Sequence, residues 1–168
     1  MEVVEGRADI DDVGQFVARL DAIGDEYGMT IQAFDARYVV DREHLERAVA
    51  LASRARERGD TIADDFGVEI LLYAAGRRQI NRALAMGVCE GTCPVVAVVV
   101  GPGAETPEDE RAAATALRDQ FTPAETLGEY DDERVREFFD VSDTELAATE
   151  GTLADAVRER VALLPVEK

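Results

Sequence analysis

The run Val95-Val96-Ala97-Val98-Val99-Val100 narrows the fold more than any other stretch of this chain. Five of its six side chains are β-branched, and odd and even positions alike are apolar. That is the pattern of a strand covered on both faces, at an interior position in a sheet. The whole apolar stretch, Pro94 to Val100, is far too short to span a bilayer. Gly101-Pro102-Gly103 turns the chain at its end.

Weaker signals surround it. Val3 to Ala8 reads as a first short strand. Asp11 or Asp12 caps the next segment, where Val13, Phe16, Val17, Leu20 and Ile23 recur at helical spacing and Gly28 closes the helix. Met29 to Val40 reads as a strand region. Asp41 caps a long helix with Leu45, Ala48, Val49, Ala52 and Ala55 on its inner stripe and Gly59 at its end. Val68 to Ala74 reads as a buried strand, and Gly76 then leads into a helix carrying Ile80, Ala83 and Leu84. Thr106-Pro107-Glu108-Asp109 starts another helix, with proline at its first position. Asp131–Phe139, Ser142–Ala148 and Thr152–Leu164 complete a helical last third, the second opening on a capping-box pattern. These elements predict one α/β domain over residues 1–168, leaning to α+β, with a small mixed sheet packed with several helices.

Charge excludes several classes. The chain holds 36 acidic and 18 basic residues, a net of −18, and 17 of the basic residues are arginine. Disorder does not fit, because 46% of residues are hydrophobic. Non-specific coating of DNA does not fit a pI near 4.3. A dense carboxylate surface suits concentrated salt, where self-repulsion is screened. Two cysteines and one histidine are too few for a disulfide scaffold or a four-ligand zinc site, so neither metal nor cofactor is expected. Cys89 and Cys93 form a C-x₃-C, read as two reduced thiols near a turn or as a regulatory disulfide. The acidic start Met1-Glu2-Val3-Val4-Glu5 lacks a signal-peptide core, and the expected location is the cytoplasm.

No P-loop, dinucleotide fingerprint, HExxH or GxSxG pattern occurs. Gly101-Pro102-Gly103 is followed by Glu105, Glu108, Asp109 and Glu110, which repel phosphate. His44 has no paired nucleophile in the sequence, which favours a binding protein over a triad enzyme. Arginine is concentrated in the middle. Residues 37–82 hold nine arginines against eight acids, a net of +1, while the remainder nets −19. Arg47, Arg54 and Arg58 share one helical stripe, and Arg78 and Arg82 are i, i+4 neighbours. These arginines either pair with local acids or form a region able to meet phosphate. Gly76-Arg77-Arg78-Gln79 supports the second reading if the glycine exposes the N–H groups of a helix start.

Glu69-Ile70-Leu71-Leu72-Tyr73-Ala74-Ala75-Gly76-Arg77-Arg78-Gln79-Ile80, followed by Ala83-Leu84 and Gly87-Val88, resembles the small kinase-binding subunit of the KEOPS complex. Upstream, His44-Leu45, Ala48, Ala52, Arg54, Ala55 and Gly59 also fit that family, and the order of elements matches nearly the whole chain. The resemblance implies a non-enzymatic subunit of the complex that installs threonylcarbamoyl on adenosine of tRNA. Such a subunit binds the N-lobe of a small atypical kinase/ATPase, and archaeal relatives recruit tRNA through its single-stranded 3′ CCA end. Arginine offers a CCA tail both bidentate contacts and stacking planes. The candidate tRNA contacts are Arg54, Arg58, Arg77, Arg78, Gln79 and His44. For the kinase, the last helix offers Leu153, Val157, Val161 and Leu164, a face that equally well closes the core. Two other classes stand beside this one. One is a small-molecule-binding regulatory domain with an anion site at the Gly76 helix start, and the other a thiol enzyme using Cys89 or Cys93.

Overall fold

In the computed structural model, which describes residues 1–102, 107–148 and 151–167, the valine run lies in β3 (Gly91–Val100). This is the central strand of a three-stranded sheet of order β1-β3-β2. Its neighbours are β1 (Glu2–Ile10) and β2 (Thr30–Asp35), each antiparallel to it, with Val4 and Ala33 both opposite Ala97. The sheet is thus antiparallel in both pairings rather than mixed, within the α+β fold expected. β1 and β2 run parallel to each other across β3 and are joined by α1 (Val13–Tyr27), a split β-α-β unit.

The double-sided burial of β3 follows its residue parity. Val95, Ala97 and Val99 pack with Phe16 and Leu20 of α1 and Leu117 of α5 (Pro107–Arg118). Val96, Val98 and Val100 belong to the larger core on the other face. That core is supplied by α2 (Arg42–Glu57), α3 (Phe66–Ala75), α6 (Asp132–Phe139) and α8 (Leu153–Glu167). Two short helices, α4 (Ile80–Ala83) and α7 (Asp143–Ala148), lie in the connections.

Polar side chains end the helices as their spacing predicts. Asp12 accepts from the Gln15 N–H at 2.9 Å, Asp41 from His44 N–H at 2.8 Å and Ser142 from Glu145 N–H at 3.0 Å. Gly28 and Gly59 take left-handed backbones at the ends of α1 and α2. The predicted turn residue Gly103, the acid Glu105 and the N-cap Thr106 lie outside the described residues.

Two sequence readings are corrected. Val68–Ala74 is not a strand but most of α3, capped by Asp65 on the Val68 N–H at 2.9 Å. Every residue from Glu69 to Ala75 is buried, so no amphipathic period was there to separate helix from strand. The second strand region, Met29–Val40, is strand only to Asp35 and continues as a 3₁₀ turn over Ala36–Tyr38. There the Asp35 carboxylate accepts from the Arg37 N–H at 3.0 Å and pulls the chain out of the sheet.

Candidate functional site

The site is assembled at the C-terminal ends of α2, α3 and α8. Arg54 lies in the last turn of α2 and Arg58 caps it; both are exposed. They border a shallow hollow of about 200 Å³ with Leu51, Ala55, Tyr73, Ala162 and Pro165 and one acid, Asp60. A second hollow of about 210 Å³ is lined by Gly76, Arg77, Arg78, Gln79, Arg82 and Leu164. The two hollows flank the end of α8, through Ala162 and Pro165 on one side and Leu164 on the other. Folding therefore places arginines of residues 54–58 and those of 77–82 on either side of the end of α8. Arg82, an exposed side chain that the spacing tied to Arg78 but that was not among the candidate contacts, joins the second set.

Within this patch the candidates differ in availability. Arg54, Arg58 and Arg82 form no ion pair with any described residue. Arg78 and Gln79 are exposed at the turn before α4. Arg77 is half-buried: its guanidinium donates to the Phe138 carbonyl and lies 5.2 Å from the Phe138 ring centroid. It pins α3 to α6 and presents only part of itself to the hollow. Arg47, on the same stripe as Arg54, is taken by Glu43 at 3.1 Å.

His44 is corrected from a surface candidate to a fully buried joint. Its Nδ1 accepts from the Val40 N–H at 3.3 Å and its Nε2 meets the Ala74 carbonyl at 2.8 Å. Nδ1 as acceptor leaves Nε2 as the protonated nitrogen, so the ring is a neutral tether between the start of α2 and the end of α3. Burial pushes its pKa down, more than the Ala74 hydrogen bond and Asp41 raise it. The anion site at Gly76 is corrected too. Gly76 (φ 62°) is the left-handed cap that ends α3, not the opening of the next helix. Its N–H bonds to Tyr73 O at 3.1 Å and that of Arg77 to Leu72 O at 3.0 Å. Those donors close α3 and are spent on its carbonyls, and α4 is only four residues long.

The apolar face of α8 is in the core. Leu153, Val157, Val161 and Leu164 are all buried, so a partner cannot touch the two valines while the helix is docked. Arg160 ties α8 to the neighbouring helices, donating to Phe139 O and Asp140 O at 3.1 Å and to Glu145 at 2.8 Å.

Asp35, Cys89 and Cys93 place one carboxylate oxygen and two sulfurs within 4.8 Å of one another, a set able to hold a soft cation. The Asp35 carboxylate is already occupied by Arg37, whose Nη2 approaches it at 2.7 Å and Cys89 Sγ at 3.5 Å. Burial pushes the Cys93 thiol up to about 12, so at neutral pH it is a thiol and not a nucleophilic thiolate. The only histidine is held elsewhere, which leaves this pair without an imidazole base.

No helix among the described residues is long and apolar enough to cross a membrane. No curated protein sequence matches the chain. A family model described as kinase binding protein CGI-121 matches residues 9–164, nearly the whole length. With an α+β core of this order and a match of that extent, the chain belongs to the CGI-121 family of kinase-binding proteins.

Proposed function

We propose that the protein is a non-catalytic subunit of a KEOPS complex for threonylcarbamoyladenosine modification of tRNA. In that role it binds the complex's small atypical kinase/ATPase and helps to recruit tRNA through the 3′ CCA end, in the cytoplasm of a salt-adapted cell. Membership of a kinase-binding family supports the first role. The observation that carries the second is the arginine patch at the end of α8. On a chain of net charge −18, Arg54, Arg58 and Arg82 stand exposed and unpaired among the described residues, with Arg78 and Gln79 beside them. A short single strand needs only such a local site: a few phosphates for the guanidinium groups and unstacked bases for their planes. The four apolar residues of α8 act on a partner only by fixing where this helix sits, and Arg77 acts partly by holding the turn that presents Arg78.

Binding of intact tRNA and of tRNA lacking its CCA end, in the same high salt, tests the reading. Loss of the CCA end is expected to weaken binding, and Arg58→Glu with Arg82→Glu to weaken it about tenfold, ~1.4 kcal/mol. Equal binding of both tRNAs, or full affinity in the double variant, would remove the tRNA role. Co-purification of the kinase under native salt tests the other role separately.

A further inference from the structure

A groove runs between α1 and the segment joining α3 to β3, on the side of the molecule where β2 forms the sheet edge. Its floor is the buried side chains of Leu20, Ile31, Ala33 and Leu71, and its volume is about 310 Å³. Its lips are Val17, 40% exposed, and Leu84, 57% exposed. These are two of only four large apolar side chains exposed among the described residues. At Val17, Ile31 and Val68 the groove continues into a second hollow of about 360 Å³, whose rim carries Asp21, Asp25 and Asp65.

None of these three aspartates forms an ion pair with a described residue. Asp21 feels this most: burial, then Asp65 and Asp25, push its pKa above the ordinary carboxylate value. A cation placed among them would gain from all three at once. The geometry points to this groove as the docking surface for the kinase partner. The piece it receives is a basic segment that seats an apolar side chain between Val17 and Leu84 and a Lys or Arg among Asp21, Asp25 and Asp65. The inference rests on the kinase-binding reading and gives it a place.

Charge selects this occupant over the others. A second copy paired groove to groove would set one acidic rim against another, a like-charge contact that opposes association. A nucleic acid would bring phosphate to carboxylate, and the arginine patch that suits it lies elsewhere, at the end of α8. An apolar centre with a charged rim is the anatomy of a protein interface. A kinase in this groove and a tRNA end on the arginine patch would occupy different surfaces.

The test is calorimetric titration of the purified cognate KEOPS kinase into the full chain at one fixed high salt. Val17→Asp with Leu84→Asp is expected to weaken binding by about tenfold or more, since it charges the apolar centre. Asp21→Asn, a near-isosteric change at a side chain that borders both hollows, takes one of the three charges from the rim and is expected to weaken binding in the same sense, and Asp21→Lys more so. Ile80→Asp and Leu163→Asp, exposed apolar positions outside the groove, are expected to leave affinity unchanged. Thermal melting of each variant identifies any that fail to fold, and Asp21→Asn and the controls then decide. If the wild-type chain binds the kinase and the groove variants bind as tightly, the groove assignment falls while kinase binding stands. If the wild-type chain does not bind the kinase, both fall. A homodimer seen by sedimentation and dissolved by Val17→Asp would also overturn the assignment, with a second copy as the occupant.

Discussion

His44 shows how one buried polar side chain can join two helices and set a pH limit. Its ring accepts a hydrogen bond from the Val40 N–H and donates one to the Ala74 carbonyl, so the folded protein holds it neutral. Burial disfavours the charged form and Arg158 adds to it; together they outweigh the Ala74 hydrogen bond and Asp41, which favour it, and the pKa is depressed. The sign follows from linkage. A histidine depressed in the folded state contributes stability that is full above its unfolded value, about 6.5, and is lost as pH falls below that value. The wild-type melting temperature is therefore expected to fall between pH 7.5 and 5.5. His44→Gln is expected to be less stable at pH 7.5, by roughly 1–3 kcal/mol for a buried amide left unpaired, and its melting temperature to fall less over the same interval. Equal pH slopes in the two proteins would show that His44 is not the titrating group.

At the scale of elements, sequence and structure agree where the period is unambiguous. β3 was legible because its valines are apolar at both parities, and α1 and α2 because Asp12, Asp41, Gly28 and Gly59 mark their ends. α3 was not, because a helix buried on all sides has no polar stripe; Asp65 before it and Gly76 after it were the available cues. The misreading propagated into the site. With Val68–Ala74 read as a strand, Gly76 opens a helix and its N–H groups suggest an anion site; in the structure those groups close α3. The exposure of Arg54, Arg58, Arg78 and Arg82 does not depend on that assignment, whereas Arg77 is half-buried against Phe138. Burial of His44 was not legible, since nothing in sequence fixes a lone histidine to Ala74, thirty residues away. α8 offers the clearest contrast between faces. Val157 is fully buried and Leu163 is 40% exposed. Val157→Glu places an unpaired carboxylate in the core at a cost of several kcal/mol, comparable to a typical domain stability of roughly 5–15 kcal/mol. It is expected to abolish the cooperative melt, whereas Leu163→Glu is expected to retain it. A folded Val157→Glu protein that merely fails to bind the kinase would mean that this face is an interface.

For the whole molecule, the charge of −18 sets two demands against each other. Salt relieves the repulsion among 36 carboxylates, because the screening length falls from about 10 Å at 0.1 M to about 3 Å at 1 M. The same salt weakens phosphate contacts, as counterion release loses its entropic advantage. A broad basic surface would lose its nucleic acid under the conditions that favour the fold, and this chain has none: residues 37–82 net only +1. Under the proposed tRNA role, a small patch would escape the conflict by contacting few phosphates and drawing the rest of its affinity from stacking and hydrogen bonds, which salt screens little. For single strands the slope of log affinity against log salt is about −0.7 per phosphate neutralised. A CCA end engaged at about three phosphates therefore gives a slope near −2, from about 0.7 per phosphate. Titrations of tRNA from 0.2 to 2 M KCl (~ a tenfold range) are expected to follow that shallow line. Arg58→Glu with Arg82→Glu is expected to flatten it further, since fewer counterions are then released. A slope near −5 or steeper, on the order of a broad electrostatic footprint, would contradict a local site and would require a basic surface that the chain's acidic remainder does not supply.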